Sequence, residues 1–404
     1  MATGQTASSF KTVLGIAEEP QPATGTPVAA TAFIPARKLE VENKVVKLPD
    51  QSWRGSMVET VGMQNGPQSA GIAIEGDAFP ATIPYFLAGM LGDIAYTGGT
   101  ASGTPTTTTG ALVAGTTTVI PVTSATGITP GTVLAIDTST LLELVTVLSV
   151  VSLNVTITQP VAKSHAGSVT VQPVTAPFTD TIALLNSGSG QPTSYSITDS
   201  DSLSTRIYAS TRWSDLTLTY DASKLLTYSA TGLSWATQGT ASAPIPSYDS
   251  LPPAPAWACQ ASYGGSTNAT VQTAELSWKR SGCECIFTLQ NSPNPYEVHV
   301  GPITLDTKLT VVAADETFLS DYLANTSKVL TLDLTTGASA SLIDIKVQMS
   351  AHNIQSVKKS KGKSYIEFDT GGVAIGNTTD IGLSGGYSPC LVTCKNAAAP
   401  GSFA

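Results

Sequence analysis

The chain consists mainly of short stretches in which apolar and polar residues alternate, separated by Gly, Pro, Asn and Ser. A period of two is typical of β-strands that bury one face and expose the other. The clearest stretches are KLEVENKVVKL (38–48), SAGIAIEGD (69–77), STRIYASTRWSDLTLTYD (204–221), VQTAELSWKR (271–280) and ITLDTKLTVVA (303–313). The pattern therefore predicts a mainly β fold with many turns.

Two segments follow a helical period instead. In AFPATIPYFLAGMLG (78–92) apolar residues recur at the i, i+3, i+4, i+7 and i+8 spacing of an amphipathic helix. Asp77 stands directly before this segment and is a candidate N-cap, while Gly92 is a suitable end. A second short helix is expected within DETFLSDYLANT (315–326), with Asp315 as its candidate N-cap.

The first 36 residues show no sustained period, and their prolines favour an extended segment over a helix. The apolar piece VLGIA (13–17) is shorter than the apolar core of a signal peptide, and the segment lacks the basic start that such peptides have. We therefore interpret residues 1–36 as an arm that is ordered by packing on an assembly, and not as an export signal or a disordered tail.

The texture of the chain changes between residues 104 and 176. A Gly/Thr-rich stretch, GGTASGTPTTTTGALVAG (98–115), is typical of a flexible linker. It is followed by β-branched runs such as GTVLAID (131–137) and LNVTITQP (153–160), and the segment 104–176 contains one Lys and no Arg. These features predict a compact β module inserted into a host domain.

The two flanking host regions resemble each other in plan. Each contains a strand that passes through an acidic turn into a helix: IAIEGDAFPATIPYFL (72–87) in the first and LTVVAADETFLSDYL (309–323) in the second. This pattern favours a tandem duplication of one β-sandwich-plus-helix unit, although two unrelated β domains remain an alternative at this stage. The expected domains are an N-terminal arm (1–36), a discontinuous first domain (37–103 and 177–241), the inserted module (104–176), a Pro-rich linker (242–256), a second domain (257–376) and a C-terminal arm (377–404).

The low content of charged residues and the negative net charge limit the classes of partner that the protein can bind. Only 12% of residues are charged and the net charge is −9, which argues against non-specific binding to nucleic acid because phosphate contacts need clustered Lys and Arg. One basic run exists, formed by Lys358, Lys359, Lys361 and Lys363. It lies beside the strand-like SYIEFD and predicts a solvated turn or an interface patch.

No pattern in the sequence demands catalysis or a cofactor. The three histidines are isolated from one another and from the five cysteines, so no metal site is predicted, and the cysteines are interpreted as free thiols of a protein made in a reducing cytoplasm. The carboxylate pairs Glu75/Asp77 and Asp199/Asp201 are explained by a helix cap and a turn. No apolar run approaches the length of a membrane span. We predict a non-enzyme without cofactors.

Read in order, the host segments resemble the tail tube, or major tail, proteins of long-tailed (siphovirus-type) bacteriophages. The resemblance is carried by VLGIAEEPQPATGTPVAATAFIP (13–35), RGSMVETVGMQNGPQS (54–69), IEGDAFPATIPYFLAGMLGD (74–93), IALLNSGSGQPTSYSITD (182–199), WSDLTLTYDASKLLTYSA (213–230) and NTTDIGLSGGYSPCLVTCKNA (377–397). It covers nearly the whole chain outside the inserted module. It implies a sandwich or split-barrel fold whose sheets join between subunits around a channel for DNA.

The resemblance also implies the partners. Copies of the chain would form stacked rings, as pseudo-hexameric homotrimers if the chain is duplicated or as homohexamers otherwise. Tape measure, tail terminator and distal tail proteins would contact the tube in the virion, which is assembled in the host cytoplasm. Trp53 and Arg54 are candidate ring-stacking contacts, because they lie in an expected long polar loop at 38–68 that would need a partner to order it. An acidic lumen is expected to let DNA slide. Alternatives are a baseplate or decoration subunit and, third, an enzyme acting on polysaccharide.

Overall fold

The computed structural model describes residues 8–20, 25–237, 239, 241–248, 251–336, 343–362 and 364–403. Parts of several predicted features lie outside the described residues: 1–7 and 21–24 of the N-terminal arm, 238 and 240 of the first domain, 249–250 of the linker, 337–342 and Lys363 of the second domain, and 404 of the C-terminal arm. Within the described residues the protein is mainly β, with two α-helices and three short 3-10 turns, at Ser9–Lys11, Ser139–Leu141 and Ala256–Ala258.

The N-terminal part of the chain alternates long host strands with the short strands of the module. The host strands and helix are β1 (Val13–Glu18), β2 (Ala32–Phe33), β3 (Lys38–Asp50), β4 (Gly62–Asp77), α1 (Ile83–Leu91) and β5 (Gly92–Ala101). The module follows with β6 (Thr106–Thr107), β7 (Val119–Pro121), β8 (Val133–Ile136), β9 (Glu143–Val151) and β10 (Asn154–Ile157). The chain returns to the host through β11 (Thr170–Leu184), β12 (Tyr195–Ser200), β13 (Thr205–Asp221) and β14 (Thr227–Ser234).

The C-terminal part contains the remaining strands and the second helix. They are β15 (Cys259–Tyr263), β16 (Ser266–Thr267), β17 (Val271–Arg280), β18 (Glu284–Ile286), β19 (Glu297–His299), β20 (Ile303–Val312), α2 (Thr317–Leu323), β21 (Ser327–Thr336), β22 (Ile343–Ser360), β23 (Glu367–Ala374) and β24 (Leu391–Asn396).

The centre of the fold is a continuous antiparallel sheet of eight strands. Its order is β3-β4-β14-β13-β17-β20-β23-β22. The first four strands form one unit and the last four another, and the two units are joined where β13 pairs with β17. Only the C-terminal part of β22 belongs to this sheet, since its N-terminal part pairs with β21 and β24.

The two units are repeats of one topology. In the first repeat, β1 pairs with β2 and β12, and β12 leads into β13. In the second repeat, β15 pairs with β16 and β21, and β21 leads into β22. The first repeat is therefore β1, β2, β3, β4, α1, β12, β13 and β14, and the second is β15, β16, β17, β20, α2, β21, β22 and β23.

Local irregularities recur at matching places in the two repeats. A bulge lies between Trp213 and Asp215 in β13, and another lies between Ile354 and Ser356 in β22. The residue just before each bulge lies close to a glycine of the paired strand. A Cβ added to Gly232 would lie 2.5 Å from the carbonyl oxygen of Arg212, and one added to Gly372 would lie 2.9 Å from that of Asn353. The repeat is thus preserved in detail as well as in topology.

Both helices pack on the same side of the eight-stranded sheet, over its apolar face. All nine residues of α1 are buried, whereas only Phe318 and Asp321 of α2 are. Trp213 and Trp278 are completely buried in this main core. Tyr322 and Leu323 of α2 are exposed.

The first repeat carries an extra hairpin formed by β5 and β11, and the insert module grows from its end. The predicted Gly/Thr-rich linker is therefore partly wrong, because residues up to Ala101 belong to β5 and pair with β11. Nor is the return flexible: β11 pairs first with β8 of the module and then with β5 and β24 of the host. The module has its own apolar core, which includes Ile120, Leu134, Val147 and Val155.

The two expected arms contribute strands to the sheets of their own chain. Val13–Glu18 forms β1, which pairs with β12 over its full length and buries Leu14 and Ile16. Leu391–Asn396 forms β24, which lies between β11 and β22. Packing on another copy is therefore not what orders these two segments.

The two N-cap predictions have different outcomes. Asp77 is the last residue of β4 and forms an ion pair with Arg37, while α1 begins only at Ile83 after Thr82, so the prediction for Asp77 is wrong. Asp315 stands one place before the N-cap position of α2. Its carboxylate nevertheless accepts a hydrogen bond from the N–H of Thr317 at 2.8 Å, which lowers the pKa of Asp315.

Candidate functional site

The face of the eight-stranded sheet opposite the helices is polar from one edge to the other. Residues that pair across the strands share this face, as in the row Lys38, Glu75, Ser229, Thr217, Ser277 and Asp306. Ser and Thr dominate its centre, where the hydroxyls of Thr217 and Ser277 are 3.0 Å apart across the joint between the repeats. We call this surface the polar face. It offers a broad hydrophilic surface with no pocket-like arrangement of reactive groups among the described residues.

The polar face carries charges of both signs with an acidic excess. Its acidic residues include Glu40, Glu42, Glu75, Asp77, Asp215, Asp221, Glu275, Asp306, Glu367 and Asp369, and its basic residues include Lys38, Lys44, Lys47, Lys279, Lys308 and Lys358. Several of these form ion pairs between neighbouring strands, with Lys308 Nζ 2.6 Å from Glu275 and Lys279 Nζ 3.2 Å from Asp306. Exposed pairs contribute little stability, so their main effect is to moderate the acidity of the surface.

A long hairpin made of β3 and β4 extends beyond the rest of the sheet. Pairing continues to Asp50 and Gly62, and residues 51–61 form its tip. The tip exposes large apolar side chains that no other part of the described chain covers: Trp53 and Met57 are fully exposed, and Val58 is 61% exposed. Exposed apolar clusters of this kind are typical of surfaces that bind a partner.

The two predicted stacking residues occupy different situations in the tip. The side chain of Trp53 makes no contact that the structure describes and is available to a partner. Arg54 instead forms an ion pair with the carboxylate of Asp50, which also accepts hydrogen bonds from the N–H and the hydroxyl of Ser52. The bonds from Ser52 lower the pKa of Asp50, so the carboxylate is ionised at neutral pH and Arg54 acts mainly to shape the tip.

Both ends of the eight-stranded sheet are open edges. Among the described residues, β3 pairs with β4 alone, and the stretch of β22 from Ile354 to Ser360 pairs with β23 alone. Open edges present unpaired N–H and C=O groups, which natural proteins usually cover or pair. The basic run falls on one of these edges: Lys358 and Lys359 belong to β22, and Lys361 follows directly.

One buried acidic residue that the sequence did not single out, Glu19, stabilises the first repeat. Glu19 is 2% exposed, and its carboxylate accepts hydrogen bonds from the hydroxyls of Ser194 and Ser196 and from the N–H of Ser210. These bonds fasten the end of β1 to β12 and β13. In the sequence Glu19 stands beside Glu18 in a Pro-rich segment, and no local pattern distinguishes it from a solvated residue.

Burial favours the neutral form of three ionisable groups, so the pKa is raised for the two acids and lowered for the histidine. Burial raises the pKa of Asp180, on β11, to about 7, although a hydrogen bond from the Asn396 amide opposes this shift. Burial likewise raises the pKa of Glu18 to about 7. In the second repeat, burial lowers the pKa of His352 to about 4, and its Nε2 lies 2.7 Å from the Thr307 hydroxyl.

The described residues contain no cluster of three or more His, Cys, Asp or Glu side chains placed to hold a metal ion. Of the carboxylate pairs considered for catalysis, Glu75 is engaged by Lys38 and Asp77 by Arg37, both on the polar face. Within the same residues, neither helix is long and apolar enough to span a bilayer.

Comparison with known protein families indicates a structural role, which is consistent with these extended surfaces. A family model described as phage tail tube protein matches residues 9–387, nearly the whole chain. The chain belongs to the phage tail tube protein family. It is therefore a structural subunit of a phage tail tube and a component of the virion tail. No curated protein matches the sequence closely enough to be compared with it.

Membership in this family accounts for the extended surfaces of the subunit, which no catalytic role explains. A tail tube protein assembles with copies of itself and with other tail proteins, so it needs extended surfaces and edges for those contacts. The polar face, the tip of the β3–β4 hairpin and the two open edges are the surfaces of this subunit that can serve such contacts. The inserted module lies outside the eight-stranded sheet and belongs to none of the three.

Proposed function

We propose that three copies of this tail tube protein close into a ring whose inner wall is the polar face. The observation that carries the proposal is the continuous sheet of two four-stranded repeats with an open edge at each end. Three such sheets supply six four-stranded units. A homohexamer, the alternative raised by the sequence, fits a chain with one unit and is disfavoured by the duplication.

The dimensions are compatible with passage of DNA. Neighbouring strands lie about 4.8 Å apart, so 24 of them close a circumference of about 115 Å and a diameter of about 37 Å. Duplex DNA with its hydration passes through such an opening. Pairing between copies also removes both open edges, which otherwise favour uncontrolled aggregation.

The charges of the polar face suit a channel that conducts DNA without binding it. An acidic excess repels phosphate, while the interspersed lysines limit the field, so the genome meets no strong attractive site. This is a moderated form of the acidic lumen expected from the net charge. We further propose that tape measure, tail terminator and distal tail proteins are partners of the tube.

In this arrangement the module lies on the outside of the tube. The β5–β11 hairpin, from which the module grows, packs with α1 on the side of the sheet opposite the polar face. A wall with the polar face inside therefore directs the module outward. Assembly takes place in the host cytoplasm in this proposal.

The tip of the β3–β4 hairpin is the proposed contact between stacked rings. It extends past the sheet along the strand direction and exposes Trp53, Met57 and Val58. Burying a fully exposed Trp side chain in a neighbouring ring contributes up to about 3 kcal/mol by the area rule. Every subunit of a ring presents one tip, so the contributions of all the tips add up along the tube.

Electron microscopy of the purified full-length protein tests the proposal. We expect open-ended tubes of uniform width with a stain-filled channel. Monomers or irregular aggregates under every assembly condition would overturn it and would favour a baseplate or decoration subunit instead.

A variant in the tip tests the stacking contact separately. Trp53→Ser combined with Met57→Ser is expected to leave single rings that do not stack, with Val46→Ser, on the shaft of the same hairpin, as the control. Tubes of normal length from the tip variant would contradict the role of the tip.

A further inference from the structure

The joint between the two repeats fixes how strands meet across it. In this joint β13 and β17 are antiparallel, with Thr217 opposite Ser277 and Thr219 opposite Glu275. Both strands have counterparts in the other repeat: β22 corresponds to β13, and β3 corresponds to β17. These counterparts are the two open edges of the chain. The β13–β17 joint within one subunit is thus an example of how the open edges β22 and β3 of two copies would pair.

The correspondence can be carried to single residues on β22. The bulges of β13 and β22 align Trp213, opposite Gly232, with Ile354, opposite Gly372. Counting on from the bulge, Lys358 takes the position of Thr217.

The same correspondence holds on β3. Gly232 pairs with Ile72 and Gly372 pairs with Thr307, so these two residues of β4 and β20 are equivalent. Ile72 pairs with Val41 of β3, and Thr307 pairs with Leu276 of β17. One residue further along each strand, Glu42 takes the position of Ser277.

We propose that β22 of one subunit pairs antiparallel with β3 of the next copy in this register, with Lys358 opposite Glu42. The inference rests on the proposed ring and adds which edges meet and in what register. Lys358 is exposed and forms no ion pair with any described residue. The carboxylate of Glu42 is 73% exposed, and its partner within the subunit is its exposed neighbour Lys44.

Charge complementarity supports this register independently of the repeat. On the polar face the edge of β22 presents Lys358, since Lys359 lies on the other face and pairs with Glu316. The facing edge of β3 carries Glu40 and Glu42 there, between Lys38 and Lys44. Directly opposite charges on antiparallel strands are favourable, and like charges are destabilising. In this register Ser360 faces Glu40 and Ser356 faces Lys44, so no like charges oppose each other on the polar face.

Disulfide trapping tests the register. Residues directly opposite each other on antiparallel strands lie within reach of a disulfide, whereas those displaced by two positions do not. The full-length chain with Glu42→Cys and Lys358→Cys is expected to form covalent dimers and trimers on oxidation, with the ladder ending at three. The chain with Glu42→Cys and Ser360→Cys is the matched control, and the wild-type chain accounts for its five native cysteines.

Charge reversal provides a second measurement that does not depend on thiol chemistry. Lys358→Glu is expected to reduce the sedimentable fraction at least about tenfold, because three like-charge pairs then face each other in every ring. Adding Glu42→Lys in the same chain is expected to restore assembly. Both side chains are exposed in the subunit, so circular dichroism should show folded protein in each case.

The outcomes separate this inference from the proposed function. Tubes in which positions 42 and 358 do not crosslink, or in which the displaced control crosslinks more strongly, would overturn the register and leave the tube intact. The specific crosslink without tubes would support the joint and overturn the tube. Absence of both tubes and crosslinks would overturn both.

Discussion

The two repeats share one topology but differ in what covers their helices. In the first repeat α1 lies between the eight-stranded sheet and the extra hairpin of β5 and β11, and all of its residues are buried. In the second repeat α2 packs on the sheet alone and leaves Leu323 74% exposed. The repeat tolerates an additional layer on its helical side, while the polar face and the sheet order stay the same. The two repeats are therefore more alike on their polar side than on their helical side.

The largest expected effect comes from applying the same substitution to both helices. Leu87→Ala removes a completely buried side chain of α1 and should lower the free energy of unfolding by about 4 kcal/mol. Leu323→Ala on α2 should change it by less than about 0.5 kcal/mol. Urea unfolding of dissociated subunits, followed by Trp fluorescence, measures both. Equal losses would show that the extra hairpin does not distinguish the two helices.

The buried carboxylate of Glu19 should produce the next largest effect. Glu19→Ala leaves the hydroxyls of Ser194 and Ser196 and the N–H of Ser210 without their acceptor, at a cost of about 3 kcal/mol. Glu40→Ala, at an exposed position, is the control. In the second repeat the residue that follows the matching strand β15 is Gly264, which carries no charge. A loss similar to that of the control would mean that β1 is held by strand pairing alone.

The matched glycines test the equivalence of the repeats directly. Gly232→Ala and Gly372→Ala should each destabilise the subunit by about 2 kcal/mol, because the new Cβ would lie 2.5 Å from the carbonyl oxygen of Arg212 in the first case and 2.4 Å from Nε2 of His352 in the second. Gly71→Ala, whose Cβ would have its nearest neighbour at 4.0 Å, is the control and should be neutral. A large difference between the first two variants would limit the correspondence to topology.

The pH dependence of stability should differ in sign between the repeats. Because the pKa of Asp180 is raised to about 7, its contribution to stability is full below pH 4 and is lost as the pH rises to 7. Because the pKa of His352 is lowered to about 4, its contribution is full above pH 6.5 and is lost as the pH falls to 4. Each slope is limited to about 1.4 kcal/mol per pH unit.

Two isosteric variants separate these contributions. Asp180→Asn should be more stable than the wild type at pH 8 and equal to it at pH 4, whereas His352→Gln should gain relative to the wild type at pH 4. Glu18 adds a slope of the same sign as Asp180, so Glu18→Gln is measured alongside. Parallel unfolding curves for the wild type and both variants across this range would contradict the assignments.

Much of the fold followed from periodicity because strands with one buried face alternate regularly. The β class, the strand at 38–48, the family and the inserted module's β character were all predicted from the sequence, and the acidic-turn-to-helix motif identified the repeat. The Gly/Thr-rich stretch at 98–101 was misjudged because its partner β11 lies about eighty residues further along the chain. Local composition carries no signal for such a pairing.

The errors at the candidate site have a similar cause. Asp77 precedes a helical pattern, but tertiary pairing of β4 with β14 extends the strand to that residue and delays the helix to Ile83. The open edges could not be read from sequence at all, since an edge is defined by the absence of a neighbour. Trp53 was chosen because a long polar loop at 38–68 would need a partner to order it. Most of that expected loop is the paired β3–β4 hairpin, and only residues 51–61 form the tip in which Trp53 lies fully exposed.

The duplication also bears on the kinetics of assembly. In the proposed ring, three of the six joints between four-stranded units form when a chain folds, and the other three form when chains meet. Closing such a ring takes two association steps, whereas a ring of single-unit chains would take five. Nucleation of a tube then depends less steeply on subunit concentration, since half of the contacts form at the effective concentration of a tethered partner. Fusing two units in one chain thus lowers the reaction order of ring formation, the step that nucleates a tube.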